Sequence, residues 1–299
     1  TSLLVVIGAS MLVFTMMYLL PGDPVLLMLD GNATSPEAVE RLRQQLGLDR
    51  PFYMQFADYF ASLLHGDFGN SRVDGAPVLP QILEHVPATL SLTAVSMAIS
   101  VVAGIVLGVL SAIHRNGVID IAARFVSLFG ISMPTFWTGI LLLLVFSIQL
   151  GLFPIHGSED WKSLVLPSIT LGIVGAGLVV RMVRNTMLEV LGESFIVTLR
   201  AKGLAERAVL YRHALRNALI PALTILGMML GELLSGTVVV ETVFARQGIG
   251  RILADAIMSK DLPMVQGIVF FTAIIYVVIN LLIDLSYSFI DPRIRRLQS

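Results

Sequence analysis

The chain has no cysteine, which excludes a disulfide framework and any thiolate metal site. Lysine is nearly missing too. Only Lys162, Lys202 and Lys260 occur, and none follows a glycine, so there is no Walker A phosphate loop. His65, His85, His114, His156 and His213 are scattered, with no H-E-x-x-H zinc pair among them. No G-x-S-x-G nucleophile turn occurs. Gly22-Asp23 and Gly66-Asp67 lack the preceding glycine of an intramembrane aspartyl protease. These absences argue against an enzyme and against a resident metal. Charge is also scarce, at 14% of residues, where soluble domains carry about 25%. The net charge of −1 leaves no electrostatic footprint for nucleic acid.

What is abundant is apolar. Hydrophobic residues make up 56% of the 299 positions, and mean hydropathy is +0.84. A spanning helix needs about 20 mostly apolar residues, and six stretches qualify. They are Leu3 to Leu20, Ala88 to Ile113 with Pro87 just before it, and Ile121 to Leu150 with Pro134 inside. The others are Leu164 to Val180 with Pro167 in its first turn, Ala218 to Val240, and Met264 to Ile290. The expected fold class is therefore an all-α integral membrane protein with six transmembrane helices. The opening run has no small-residue cleavage site and reads as a span rather than a signal peptide. A short piece is expected ahead of Thr1.

Positive charge orients the stack. With both termini inside, the cytoplasmic pieces are 114–124, 181–217 and 291–299, and they hold twelve of the twenty Lys and Arg residues. The outside segment 21–87 carries nine acids against four arginines and is too polar for lipid. Within it, Ser35-Pro36-Glu37 reads as a helix start and Gly47 as its stop. A second helix is expected from Pro51 to His65, with Phe52, Phe56, Tyr59, Phe60 and Leu63 on one face and Gly66 ending it. This insertion is either a packed lid or a docking surface for an extracytoplasmic partner. The domain reading is thus a first span over 1–20, the insertion over 21–87, a membrane core over 88–290 and a cytoplasmic tail over 291–299.

Small-residue stripes, Gly104-x3-Gly108 and Gly227-x3-Gly231-x3-Ser235, let helix backbones approach closely and read as packing. Two intramembrane acids carry more information. Charges in lipid are costly and face a bundle interior or a water-filled cavity. Glu232, in the middle of the fifth span, either lines a path and receives a cationic group or is a protonated acid bonded to a neighbouring helix. Asp284, one turn after Asn280, reads as structural, with Arg181 or Arg184 as its partner. Pro134 frees a carbonyl and kinks the third span, so Met133-Pro134-Thr135 is either part of a path or a packing feature.

The basic cytoplasmic segment Arg181 to Asn217 is too long for a hairpin and reads as helix, break at Gly203, helix. A short helix with apolar and basic faces suits a groove on a soluble partner or anionic lipid headgroups.

At this segment the chain resembles the permease subunits of peptide/nickel ABC importers, dipeptide/oligopeptide permease B-like, with type I transmembrane architecture. The resemblance rests on Arg200-Ala201-Lys202-Gly203-Leu204 followed by His213-Ala214-Leu215-Arg216-Asn217-Ala218-Leu219-Ile220-Pro221. It extends to Pro21-Gly22-Asp23-Pro24, Gln45-Leu46-Gly47-Leu48-Asp49, Gly66-Asp67-Phe68-Gly69, Gly130-Ile131-Ser132-Met133-Pro134 with Phe136-Trp137, and Glu241-x-Val243-Phe244. Gly248-x-Gly250-Arg251 and Asp291-Pro292-Arg293-Ile294-Arg295 complete the series, which covers nearly the whole chain. The general coupling motif has Glu-Ala-Ala where this chain has Val197-Thr198-Leu199, keeping only Gly203, and the peptide/nickel branch departs in a similar way. Ala245-Arg246-Gln247 stand where the family more often has Trp-Pro or Ile-Pro.

The resemblance implies one half of a two-permease pore, completed by a second homologous permease subunit. Two ATPase subunits would bind ATP and Mg on the cytoplasmic side, so this chain would hold no cofactor and no catalytic site. An extracytoplasmic substrate-binding protein would deliver cargo across the bacterial cytoplasmic (inner) membrane. Arg200, Ala201, Lys202, Gly203 and Leu204 would couple to the ATPase. Glu232, Met133, Pro134 and Thr135 are the expected path residues. Peptides are the expected cargo, because no His/Met cage is visible. Nickel, a metal chelate or a glutathione-like compound is the alternative cargo. A stand-alone channel or secondary carrier is the more distant alternative, and it would call for inverted repeats, which are not seen.

Overall fold

The computed structural model describes residues 2–19, 36–45, 47, 49–157 and 160–290. Among the described residues the regular structure is helical, apart from one isolated antiparallel bridge between Asn70 and Pro77. In chain order the helices are α1 (Ser2–Leu19), α2 (Pro36–Gln45), α3 (Phe52–Leu64), α4 (Val78–Ile113), α5 (Val118–Ser132) and α6 (Thr135–Leu142). They continue with α7 (Trp161–Leu191), α8 (Ser194–Ala201), α9 (Leu215–Val243), α10 (Ile249–Met258) and α11 (Leu262–Ile290). Wider π-helical turns extend α6 over Leu143–Gln149 and lead into α9 over Ala208–Ala214.

By length and composition, α4, α7 and Leu262–Leu282 of α11 can each cross a membrane, and the bent pair α5 and α6 makes a fourth span if counted together. Leu4–Thr15 of α1 is a shorter apolar helix. The motif Pro21-Gly22-Asp23-Pro24, the helix start at Ser35 and the tail from Asp291 lie outside the described residues, as does the side chain of Asp284.

Two boundaries differ from the sequence reading. The second span was expected to start at Ala88, after Pro87. Instead α4 begins at Val78 and carries Pro87 inside. Proline removes one backbone donor and frees one carbonyl, yet the helix continues through it. The third span was expected to run through Pro134. It is broken there, and α5 and α6 meet at 111°. Met133 is extended, with φ −83 and ψ 132, as the residue before a proline prefers. Pro134 then starts α6.

The chain forms two compact units. One comprises the described residues of Thr1–His85 and Ile252–Ser299. Within it α1 packs on α11 and α3 packs on α1. Phe14 of α1 meets Phe52 at 5.3 Å, Phe56 at 5.6 Å and Tyr59 at 5.3 Å between ring centroids. Phe60 and Phe68 meet Phe270 of α11 edge-on. The aromatic face read from the sequence is thus the face that α3 buries. Ser71 Oγ and the Arg72 N–H donate to buried Asp261, which also accepts from the Met264 N–H at the start of α11.

The other unit contains Val86–Arg251. Its centre is α7, flanked by α5 and α9. Small residues explain the closeness. A Cβ at Gly104 or Gly108 would overlap Val179 or Val183, and one at Gly130 would overlap the Ile173 carbonyl. Ser127 Oγ donates to the Gly177 carbonyl at 2.6 Å, and Ser100 Oγ to the Gly172 carbonyl at 3.1 Å. The Gly104-x3-Gly108 stripe is therefore a packing seam. One apolar core, with Leu171, Val179, Met187, Leu233 and Phe244 among its members, runs through this unit.

Candidate translocation cleft and coupling surface

Three sites in the second unit set a carboxylate in contrasting surroundings. The first is a cleft of about 370 Å³ between the α5–α6 break, α7 and α9. Thr135, Glu232 and Ser235 are its polar lining, against Leu171, Leu178 and Met229 among the apolar residues. Glu232 is exposed to this cleft. No hydrogen bond or ion pair reaches it among the described residues. It lies eleven residues before Val243, the end of α9, or roughly 16 Å along the axis. Of the four expected path residues, Glu232 and Thr135 line the cleft. Met133 and Pro134 do not; they make the break that opens it.

The second site joins the C-terminal end of α9 to the start of α10. Glu241 is fully buried. Its Oε1 accepts from Thr89 Oγ1 at 2.6 Å, and its Oε2 from the N–H groups of Gly250 at 2.8 Å and Arg251 at 3.2 Å. The carboxylate thus satisfies the orphan donors at the N-terminus of α10, where negative charge is favoured. A Cβ at Gly248 would overlap that carboxylate, and one at Gly250 would overlap Val238. This explains the glycines of Gly248-x-Gly250. Arg246 is buried alongside, donating to Ser91 Oγ at 3.2 Å. The sequence marked Glu241 only as a motif residue. Its partner Thr89 is 152 positions away, beyond any local pattern.

The third site clasps the ends of α4, α5 and α7. Asp120 is fully buried and takes both Nε (2.7 Å) and Nη2 (3.0 Å) of Arg184. Ser111 Oγ at 2.6 Å, the Asn116 N–H at 2.9 Å and Arg124 Nε at 3.4 Å complete the shell. Arg184 is therefore committed to Asp120, whereas the sequence reading offered it to Asp284. Asn280 donates to the Tyr276 carbonyl of its own helix at 2.9 Å.

The cytoplasmic segment has the expected helix, break and helix. Gly203 has φ +79 with open space around it, so glycine is needed for conformation and not for room. The Leu204 N–H bonds to the Leu199 carbonyl and the Gly203 N–H to the Arg200 carbonyl. This is a Schellman stop. Leu199 and Leu204 pack against the core, and Ile196 is fully buried. Arg200 makes a two-pronged pair with Glu206, at 2.6 and 3.1 Å. The Arg200 guanidinium holds the Glu206 carboxyl below its ordinary range. Ala201, Lys202 and Gly203 face outward, while Leu204 points inward. Phe195 and Val197 are 39% and 63% exposed. The sequence reading did not select these two, although apolar side chains on an exposed basic helix were the available signal.

Comparison with known proteins agrees with this architecture. Residues 104–296 match the family described as binding-protein-dependent transport system inner membrane component, and residues 1–93 match its N-terminal membrane component. The chain belongs to this family. It is a permease component of an ABC transporter and a multi-pass membrane protein. A permease protein of Brucella abortus (strain 2308), whose name assigns it to a peptide transport system, is 41% identical over 299 residues, covering 97% of this chain and 95% of that one. The glutathione transport system permease protein of Escherichia coli (strain K12) is 41% identical over 286 residues, covering 96% and 93%. Among solved structures, the inward-facing MetNI methionine ABC transporter aligns with TM-score 0.59 at 21% identity, over 72% of this chain and 98% of that one. At that identity the likeness concerns the fold.

Proposed function

We propose that this permease forms one half of the translocation pore of an importer for peptides in a bacterial cytoplasmic membrane. A second homologous permease supplies the other half. Two ATPase subunits bind ATP and Mg, and an extracytoplasmic binding protein delivers the cargo. In this reading the chain crosses the membrane six times with both termini cytoplasmic.

The observation that carries the reading is α8 and its Schellman stop. The helix stands between α7 and α9, its inner face (Ile196, Leu199) keyed into the core and its outer face (Phe195, Val197, Lys202) unpartnered among the described residues. A lever of this kind suits a separate motor. ATP binding draws the ATPase pair together and moves α8, and α7 and α9 carry the motion to the cleft beside Glu232 and Thr135. ATP must bind the two global states with different affinity for this to drive transport. Ala201, Lys202 and Gly203 form the docking rim. Arg200 acts through Glu206, and Leu204 holds the turn to the core.

The peptide cargo is supported by the name of the Brucella relative. The Escherichia relative favours a second reading, a glutathione-like cargo. Purification from membranes tests the architecture. The expected result is a complex containing two ATPase chains and a second permease chain. A chain that purifies as a self-contained oligomer and transports without nucleotide would overturn it.

A further inference from the structure

We infer that Glu232 selects cargo by charge, receiving a cationic group of the peptide and disfavouring net-anionic cargo. The inference rests on the importer reading and bears on which of its two cargo classes this pore accepts. Asp120 and Glu241, the buried acids of the same unit, are each fully engaged by donors. Glu232 alone of the three has no partner among the described residues and opens into the cleft. Among the described residues the rest of the lining is apolar or hydroxyl-bearing, with no Lys, Arg or His.

An ionised carboxylate at membrane depth is costly unless something compensates it. A fixed internal partner would do so permanently, as Arg184 does for Asp120. A transient partner does so only while cargo is present. The α-ammonium of a peptide, or a Lys or Arg side chain, is such a partner. With low-polarity walls the attraction is weakly screened. The same walls make a second carboxylate unwelcome, and no basic group among the described lining residues relieves it. A glutathione-like cargo carries two carboxylates and one ammonium, so it suffers a net penalty here, while a neutral or basic peptide does not.

The test uses the complete complex, with its ATPases, second permease and binding protein, in proteoliposomes supplied with a mixed dipeptide library. Mass spectrometry compares the ratio of Lys-containing to Glu-containing dipeptides inside the vesicles with the ratio held by the binding protein. Wild type should enrich basic over acidic dipeptides about tenfold beyond the binding protein. Glu232→Gln and Glu232→Ala should bring that enrichment close to one, and Glu232→Asp should retain most of it. An enrichment equal in wild type and in both neutral variants overturns the charge-selection inference while leaving the importer intact. Absence of ATP-dependent accumulation of any dipeptide in wild type instead overturns the peptide-importer reading itself.

Discussion

Glu232 and Glu241 sit on the same helix, nine residues apart in number, yet they live in opposite surroundings. Glu241 is fully buried with a hydroxyl and two backbone N–H groups on its oxygens. Glu232 faces a cleft and has no partner among the described residues. A buried carboxylate whose acceptors are all filled holds structure together. One left open toward a cavity is available for something that comes and goes. Hydropathy cannot separate the two, since both stand in an apolar helix. Their neighbours separate them.

The comparison breaks most sharply under alanine. Glu241→Ala orphans two buried donors and one part-buried donor at about 1–3 kcal/mol each, so the loss should be roughly 3 kcal/mol or more. It should appear as a large fall in the thermal midpoint of the purified complex. Asp120→Asn sharpens the same point at the other end of the unit. It strands the Arg184 charge, of which 15% of the side chain is exposed, and should cost about 3–5 kcal/mol by the same assay. Glu232→Ala should shift the midpoint by no more than about 0.5 kcal/mol, as for surface positions. A midpoint loss at Glu232 equal to that at Glu241 would erase the distinction.

The coupling turn gives a smaller structural effect with a larger functional one. Gly203→Val forces a β-branched residue into the left-handed region at a cost of about 1–2 kcal/mol. The helix should stay docked through Ile196, while transported peptide per ATP hydrolysed falls several-fold. Gly203→Asn, which tolerates that conformation, should keep the ratio. The smallest effect belongs to the exposed Arg200–Glu206 pair. A depressed carboxyl contributes above its ordinary pKa and loses that contribution only as pH falls through the lowered value. That contribution is therefore constant between pH 6 and pH 8, so Glu206→Gln should leave the pH dependence of uptake over that range unchanged relative to wild type.

Much of this was readable from local chemistry. Gly47, Gly66 and Gly203 were placed as helix stops, and all three have positive φ. The aromatic stripe from Phe52 to Leu63 was visible in its spacing, and so was the Gly104-x3-Gly108 seam. The early start of α4 was not, because Pro87 reads as a boundary whereas the helix carries it inside. Pro134 announced a defect in the third span, but whether a proline kinks or breaks a helix depends on what its two halves pack against. The Asp120–Arg184 clasp and the Glu241 knot join residues 64 and 152 positions apart. Such pairings come from the packing of whole helices, which no short window contains.

The central claim is that this chain is a passive pore half driven by a separate motor through α8. The direct measurement is peptide uptake into proteoliposomes assembled with both permeases, the ATPases and the binding protein, each omitted in turn. The account predicts ATP-dependent accumulation that disappears when the ATPases or the binding protein are left out. Accumulation by the permeases alone, driven by an ion gradient and indifferent to ATP, would contradict it.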